Sequence, residues 1–164
     1  MDLSELWDLI ETARDEVDDP DDAEAVTAAL RGILAESQPE TIEEFDVALG
    51  RLMAESYRTD LWAAAYVING GASDDGFEYF RGWLVTQGRD VWEAAVADPD
   101  ALADVPAVRR AIADGEELEC EDLLGVAWDA YEEATGEELP ETARPALPQL
   151  EPMWDFDDED EMRV

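Results

Sequence analysis

Asp74, Asp75 and Glu78 place three carboxylates within about one helical turn, and Arg81 stands three residues beyond Glu78. Oxygen donors at that spacing could hold Mg²⁺ or Ca²⁺, or supply an acid/base pair. The same residues have a plainer use, because acids in the first turn of a helix complement its dipole and Glu78-to-Arg81 spacing gives an ordinary helix-surface contact. Arg81 and Arg89 lie beside tryptophans and tyrosines in the least acidic part of the chain. There, guanidinium groups could line an anion pocket or tie helix ends together through carbonyls and carboxylates. Cys120 stands within Glu119-Cys120-Glu121, where neighbouring acids suppress thiolate formation.

The inventory excludes more chemistry than it offers. All ten basic residues are arginine, with no lysine and no histidine. Without histidine there is no Ser-His-Asp or Cys-His pair and no imidazole metal ligand; without lysine there is no Schiff base and no Walker-type phosphate lysine. A single cysteine cannot form an internal disulfide. Neither a catalytic residue, a metal ligand nor a cofactor is therefore assigned.

Those residues must be positioned by the stretch from Leu61 to Gly88, where apolar density, glycine turns and charges coincide. Leu61 to Ile68 is apolar on every face of a helix, the mark of a buried central helix. It is far shorter than the roughly 20 residues needed to span a bilayer. Asn69-Gly70-Gly71 stops it. A second helix starts after Ser73 as cap and ends by Gly88. At about 100° per residue, Phe77, Phe80, Trp83 and Leu84 share one side while Asp74, Glu78 and Arg81 share the other. These two helices are expected to pack together at the centre of the fold, with Phe80 and Trp83 buried. Trp62, Tyr66, Phe77, Phe80, Trp83 and Trp92 read as core, or alternatively as a stack for a flat ligand.

Elsewhere the periodicity predicts helices over 2–18 (Leu3, Leu6, Trp7, Ile10, Ala13 and Val17 as its stripe), from Pro20 to about residue 36, and over 41–56, where Thr41 and Glu44 match a capping box. Further helices are expected at 90–97, at 106–113, and at 121–135, with Leu123, Leu124, Ala127, Trp128 and Tyr131 spaced for burial. Asp98-Pro99-Asp100 makes a turn. No stretch shows the sustained alternation of a strand. From Gly136 onward Pro140, Pro145, Pro148 and Pro152 exclude a continuous helix. Trp154 and Phe156 are interleaved with acids there and could anchor a partner surface.

The run Ser73-Asp74-Asp75-Gly76-Phe77, then Phe80-Arg81-Gly82-Trp83-Leu84 and Gln87-Gly88, preceded by Trp62-Ala63-Ala64-Ala65-Tyr66, resembles the hallmark of a family of small, mostly helical bacterial domains of unknown function. The resemblance covers roughly residues 3–135. It implies an all-α fold and supplies no activity.

Charge bounds the partners. The chain of 164 residues carries a net charge of −35, and 46% of it is hydrophobic. Residues 1–50 hold 16 acids and 2 arginines, residues 51–90 hold 6 and 4, and residues 91–164 hold 23 and 4. A nearly neutral centre inside an acidic shell argues against direct binding to phosphate backbones, which takes Lys/Arg neutralisation, and against anionic membrane surfaces. An acidic N-terminus, where a signal peptide would be basic and then apolar, points to the cytoplasm. The expected architecture is one all-α domain of about seven or eight helices over 1–136, followed by an irregular Pro-rich acidic tail over 137–164. The expected function is a non-catalytic interaction or regulatory module for a basic protein partner, with contacts drawn from Asp74, Asp75, Glu78, Arg81, Arg89, Trp154 and Phe156. A carboxylate-dependent metal-binding protein or enzyme centred on Asp74, Asp75, Glu78 and Arg81 is the alternative, and nucleic-acid mimicry a minor one. Oligomeric state has no signature in the sequence.

Overall fold

The computed structural model describes residues 1–141. The helical periods resolve into α1 (Leu3–Glu16), α2 (Ala23–Ala35), α3 (Pro39–Glu55), α4 (Thr59–Asn69), α5 (Asp74–Thr86), α6 (Arg89–Ala97), a 3₁₀ helix (Pro99–Asp104), α7 (Pro106–Asp114), α8 (Glu121–Leu124) and α9 (Val126–Thr135). The chain is all-α, with no strand among the described residues. Most of the expected tail, Trp154 and Phe156 included, lies outside them.

Each amphipathic stripe turns inward on one shared core. In α1, Leu6, Trp7, Ile10 and Ala13 are buried. They pack on α2, whose Val26, Leu30 and Leu34 are inaccessible, and α2 packs in turn on α9. The chain's centre is α5, which touches α2, α3, α4, α6 and α8. Phe77 and Phe80 are fully buried and Trp83 nearly so, as their spacing predicts.

Four local expectations are corrected. Pro20 does not open α2, which starts at Ala23 with the Asp22 carboxylate accepting from the Ala25 N–H. Pro39 is the first residue of α3, where its preset φ and missing N–H cost nothing, so Thr41 falls inside the helix and forms no capping box. The box occurs instead at α1, where the Asp2 carboxylate accepts from the Glu5 N–H and the Glu5 carboxylate accepts from the Asp2 N–H. The helix expected over 121–135 breaks at Gly125. Leu123 and Ala127 are buried as expected, but Val126 and Ala130 join them and Trp128 is left 43% exposed.

The fourth correction concerns α4. Leu61, Trp62, Ala63 and Ala65 face inward, but Val67 is 54% exposed and Ala64, Tyr66 and Ile68 only half-buried. This helix flanks the core and does not form its centre. Its end is pinned by Gly70 in the left-handed region (φ 70°) and by Asn69, whose side-chain amide donates to the Leu118 carbonyl and accepts from the Leu118 N–H. Among the described residues no helix is long and apolar enough to cross a membrane.

Candidate functional site

Asp74 and Asp75 occupy the first turn of α5, and the Ser73 hydroxyl accepts from the Gly76 N–H. Both acids and Glu78 are exposed. Arg81 departs from expectation. It does not share their solvent face but is buried, at 2% exposure. Its Nη1 donates to the Met53 carbonyl at 2.5 Å, and its guanidinium lies 4.6 Å from the Phe77 ring centroid and 5.0 Å from that of Tyr57. Met53 sits in the last turn of α3, where carbonyls lack helical partners, and Arg81 joins the Ser56 hydroxyl in supplying a donor there. Two aromatic faces offset part of the cost of burying the cation.

Burial pushes the Arg81 guanidinium down to about 10, against the opposing pull of Glu78 and Tyr57, which leaves it charged at neutral pH. Its Nε has no partner among the described residues. The four residues proposed as a carboxylate–arginine centre are thus divided between solvent and core. No group of three or more His, Cys, Asp or Glu side chains among the described residues could hold a metal ion. On a constant background of about 0.15 M salt, where screening is already in place, millimolar Mg²⁺ or Ca²⁺ is expected to leave the melting temperature unchanged. A stoichiometric rise, abolished by Asp74→Asn, would instead establish a cation site at the start of α5, because a ligand that binds only the folded state stabilises it by mass action.

Arg89 is exposed and apart from Arg81. Its Nε meets Glu93 at 2.9 Å, a hydrogen bond that raises its pKa, and its N–H donates to Glu11 of α1. Beside it Arg14 donates from Nη1 to the carbonyls of Thr86 and Pro20, clamping α1 to the end of α5. Both arginines tie helix ends, and they form no shared anion pocket. Cys120 is buried against Thr27, its sulfur 3.3 Å from the hydroxyl, and burial raises its pKa, so it is a packed thiol and no nucleophile. The aromatic residues divide among separate core contacts: Trp62 stacks on Phe77 at 4.9 Å, Phe80 tilts on Trp83 at 5.5 Å, and Trp7 meets Trp92 at 5.6 Å. Tyr66 alone of the expected set is only half-buried.

The open feature lies elsewhere. Between α4, the 3₁₀ helix and α7 runs a groove of about 490 Å³. Its buried floor is Ala63, Leu102 and Val108, its walls include Val67 and Ile112, and Asp60, Asp98 and Asp100 line its edge. Val67 and Ile112, at 54% and 56% exposure, are two of the three large apolar side chains exposed among the described residues. Both terminal turns bordering the groove are fixed locally, by Gly70 and Gly115 in the left-handed region and by the Asp98 carboxylate, which accepts from the Asp100 N–H. Arg58 pairs with the Asp60 carboxylate at 3.4 Å, and Arg109 is engaged by the Ala103 carbonyl and Asp104. Sequence reasoning missed this groove. Its signal was the all-round apolarity of Leu61–Ile68, which fits a helix with an exposed apolar face as readily as an interior helix.

Residues 1–133 match the family described as Protein of unknown function (DUF4240), and the chain belongs to that family. No curated protein and no solved structure matches it.

Proposed function

We propose that this member of the family is a non-catalytic protein-interaction module for a basic partner. The observation that supports it is the apolar groove edged by Asp60, Asp98 and Asp100 on a chain of net charge −35. Binding sites combine an apolar floor with a few placed polar groups, and opposite charge around such a floor speeds and selects the encounter. The reading based on a carboxylate centre has no comparable support, because Arg81 is committed to Met53 and to two rings. Nucleic-acid mimicry likewise has no regular array of acids to recommend it.

The test is capture on the immobilised full chain across a salt series, followed by reconstitution with the purified candidate. A basic protein should be retained in stoichiometric amount at low salt and released as salt rises. Over the same range, up to about 0.15 M, the melting temperature of the free chain should increase, since the Debye length falls to about 8 Å and repulsion between exposed acids is screened. A partner whose affinity ignores salt would show that the acidic shell serves solubility and plays no part in recognition.

A further inference from the structure

The groove constrains the shape of what binds there. Its walls are helices, and the backbone groups of a helix interior are already bonded within the helix, so the walls offer no free row of N–H and C=O groups to a strand. An occupant entering this apolar floor must satisfy its own backbone, which a helix does. The lining of α4 recurs at 60, 63, 64, 67 and 68, one helical stripe about 12 Å long at about 1.5 Å per residue. That length matches two turns of a partner helix laid along it.

Charge selects among possible helices. A second copy of this chain would bring another −35 to an edge of carboxylates. Residues 142–164, with seven acids and two arginines, would meet the same repulsion. Resting on the reading of the chain as a module for a basic partner, we infer that the groove takes an amphipathic helix of a foreign protein. Its apolar side chains at i, i+3 and i+7 insert over Ala63, Leu102 and Val108, and its flanking arginines or lysines meet Asp98 and Asp100 and compete with Arg58 for Asp60. This is helix-in-groove recognition, with specificity carried by the anchor spacing and the encounter by the charges.

The probe is a fluorescein-labelled peptide of about 16 residues with leucines at i, i+3 and i+7 and arginines at both ends, compared with a scramble of the same composition. Measured by anisotropy on the full chain at 0.15 M salt, the patterned peptide should bind at least about tenfold more tightly, the scale of one well-placed apolar anchor. Val67→Asp and Ile112→Asp, at half-exposed positions whose change should leave the melting curve in place, should each abolish that preference. Asp100→Arg should weaken the patterned peptide and flatten its salt dependence. Equal binding of the two peptides, or a preference that survives both groove variants, overturns the inference while leaving a basic partner on the acidic surface intact. If neither peptide binds even at low salt, the acidic-surface reading fails as well.

Discussion

Phe80→Ala is expected to lower the free energy of unfolding by about 3–5 kcal/mol, the range for emptying a large aromatic site in a core that relaxes only in part. Phe80 has no accessible surface and packs 5.5 Å from Trp83 in α5, which, like α2, reaches five other helices. Since domains are stable by about 5–15 kcal/mol in total, the variant should unfold at much lower denaturant and be marginal at 37 °C. Trp128→Ala is the comparison: at 43% exposure in α9 much of its ring already meets water, so its loss should cost clearly less than that of Phe80. The measurement is urea unfolding with the slope checked for constancy, so that a shifted midpoint reports stability and not a changed denatured state. Equal midpoints for Phe80→Ala and the parent would mean that the core does not converge on α5.

What could be read in the sequence is what local chemistry dictates. Ser73 as a cap, the glycine stop at Gly70, and the buried stripe Leu6, Trp7, Ile10 and Ala13 all depend on residues within two turns of one another. Membership in a family of unknown function was legible too, the expected span of roughly residues 3–135 standing beside a match over 1–133. Features decided by distant residues were not legible. Arg81 follows the solvent-side spacing of Asp74 and Glu78, yet it is drawn inward by a carbonyl of Met53, 28 residues earlier, and by the ring of Tyr57. No periodicity within α5 could reveal that acceptor. Gly125 illustrates the same limit, for a lone glycine in a helical pattern is tolerated in one context and breaks the helix in another.

The candidate site was less legible than the fold, for a related reason. Chemistry was sought where charges cluster in sequence, at Asp74, Asp75, Glu78 and Arg81, but clustering along a helix is also what capping and dipole compensation produce. The groove instead draws on three segments distant in sequence, and only their juxtaposition leaves Val67 and Ile112 facing outward across a shared floor. The run Phe80-Arg81-Gly82-Trp83 reads, in the structure, as instructions for packing. Phe80 and Trp83 fill the core, Arg81 ties α5 to α3, and Gly82 admits the backbone of another segment.

Gly82→Ala gives the second large effect, and its sign separates two physical terms. On helix propensity alone the change in the middle of α5 should stabilise by about 1 kcal/mol. A Cβ at this position, however, would lie 2.5 Å from the Cys120 carbonyl oxygen and 3.5 Å from the Leu124 side chain. The obstructing atom is backbone, and its segment is tied down: the Cys120 N–H donates to the Tyr79 carbonyl, Leu118 exchanges two hydrogen bonds with Asn69, and the Cys120 sulfur meets Thr27. Retreat by the needed distance strains those bonds together, so the overpacking cost of about 1–3 kcal/mol should exceed the propensity gain, and a net loss of stability is expected. Gly32→Ala in α2, where an added Cβ meets nothing within 4 Å, should show the opposite sign, a gain of up to about 1 kcal/mol. The Cys120 thiol supplies an independent readout, because displacement of its segment in Gly82→Ala should speed its reaction with an aromatic disulfide reagent, whereas Gly32→Ala should leave that rate unchanged. Stabilisation by both alanines would show that the segment before α8 yields freely and that Gly82 is not required for its close approach to α5.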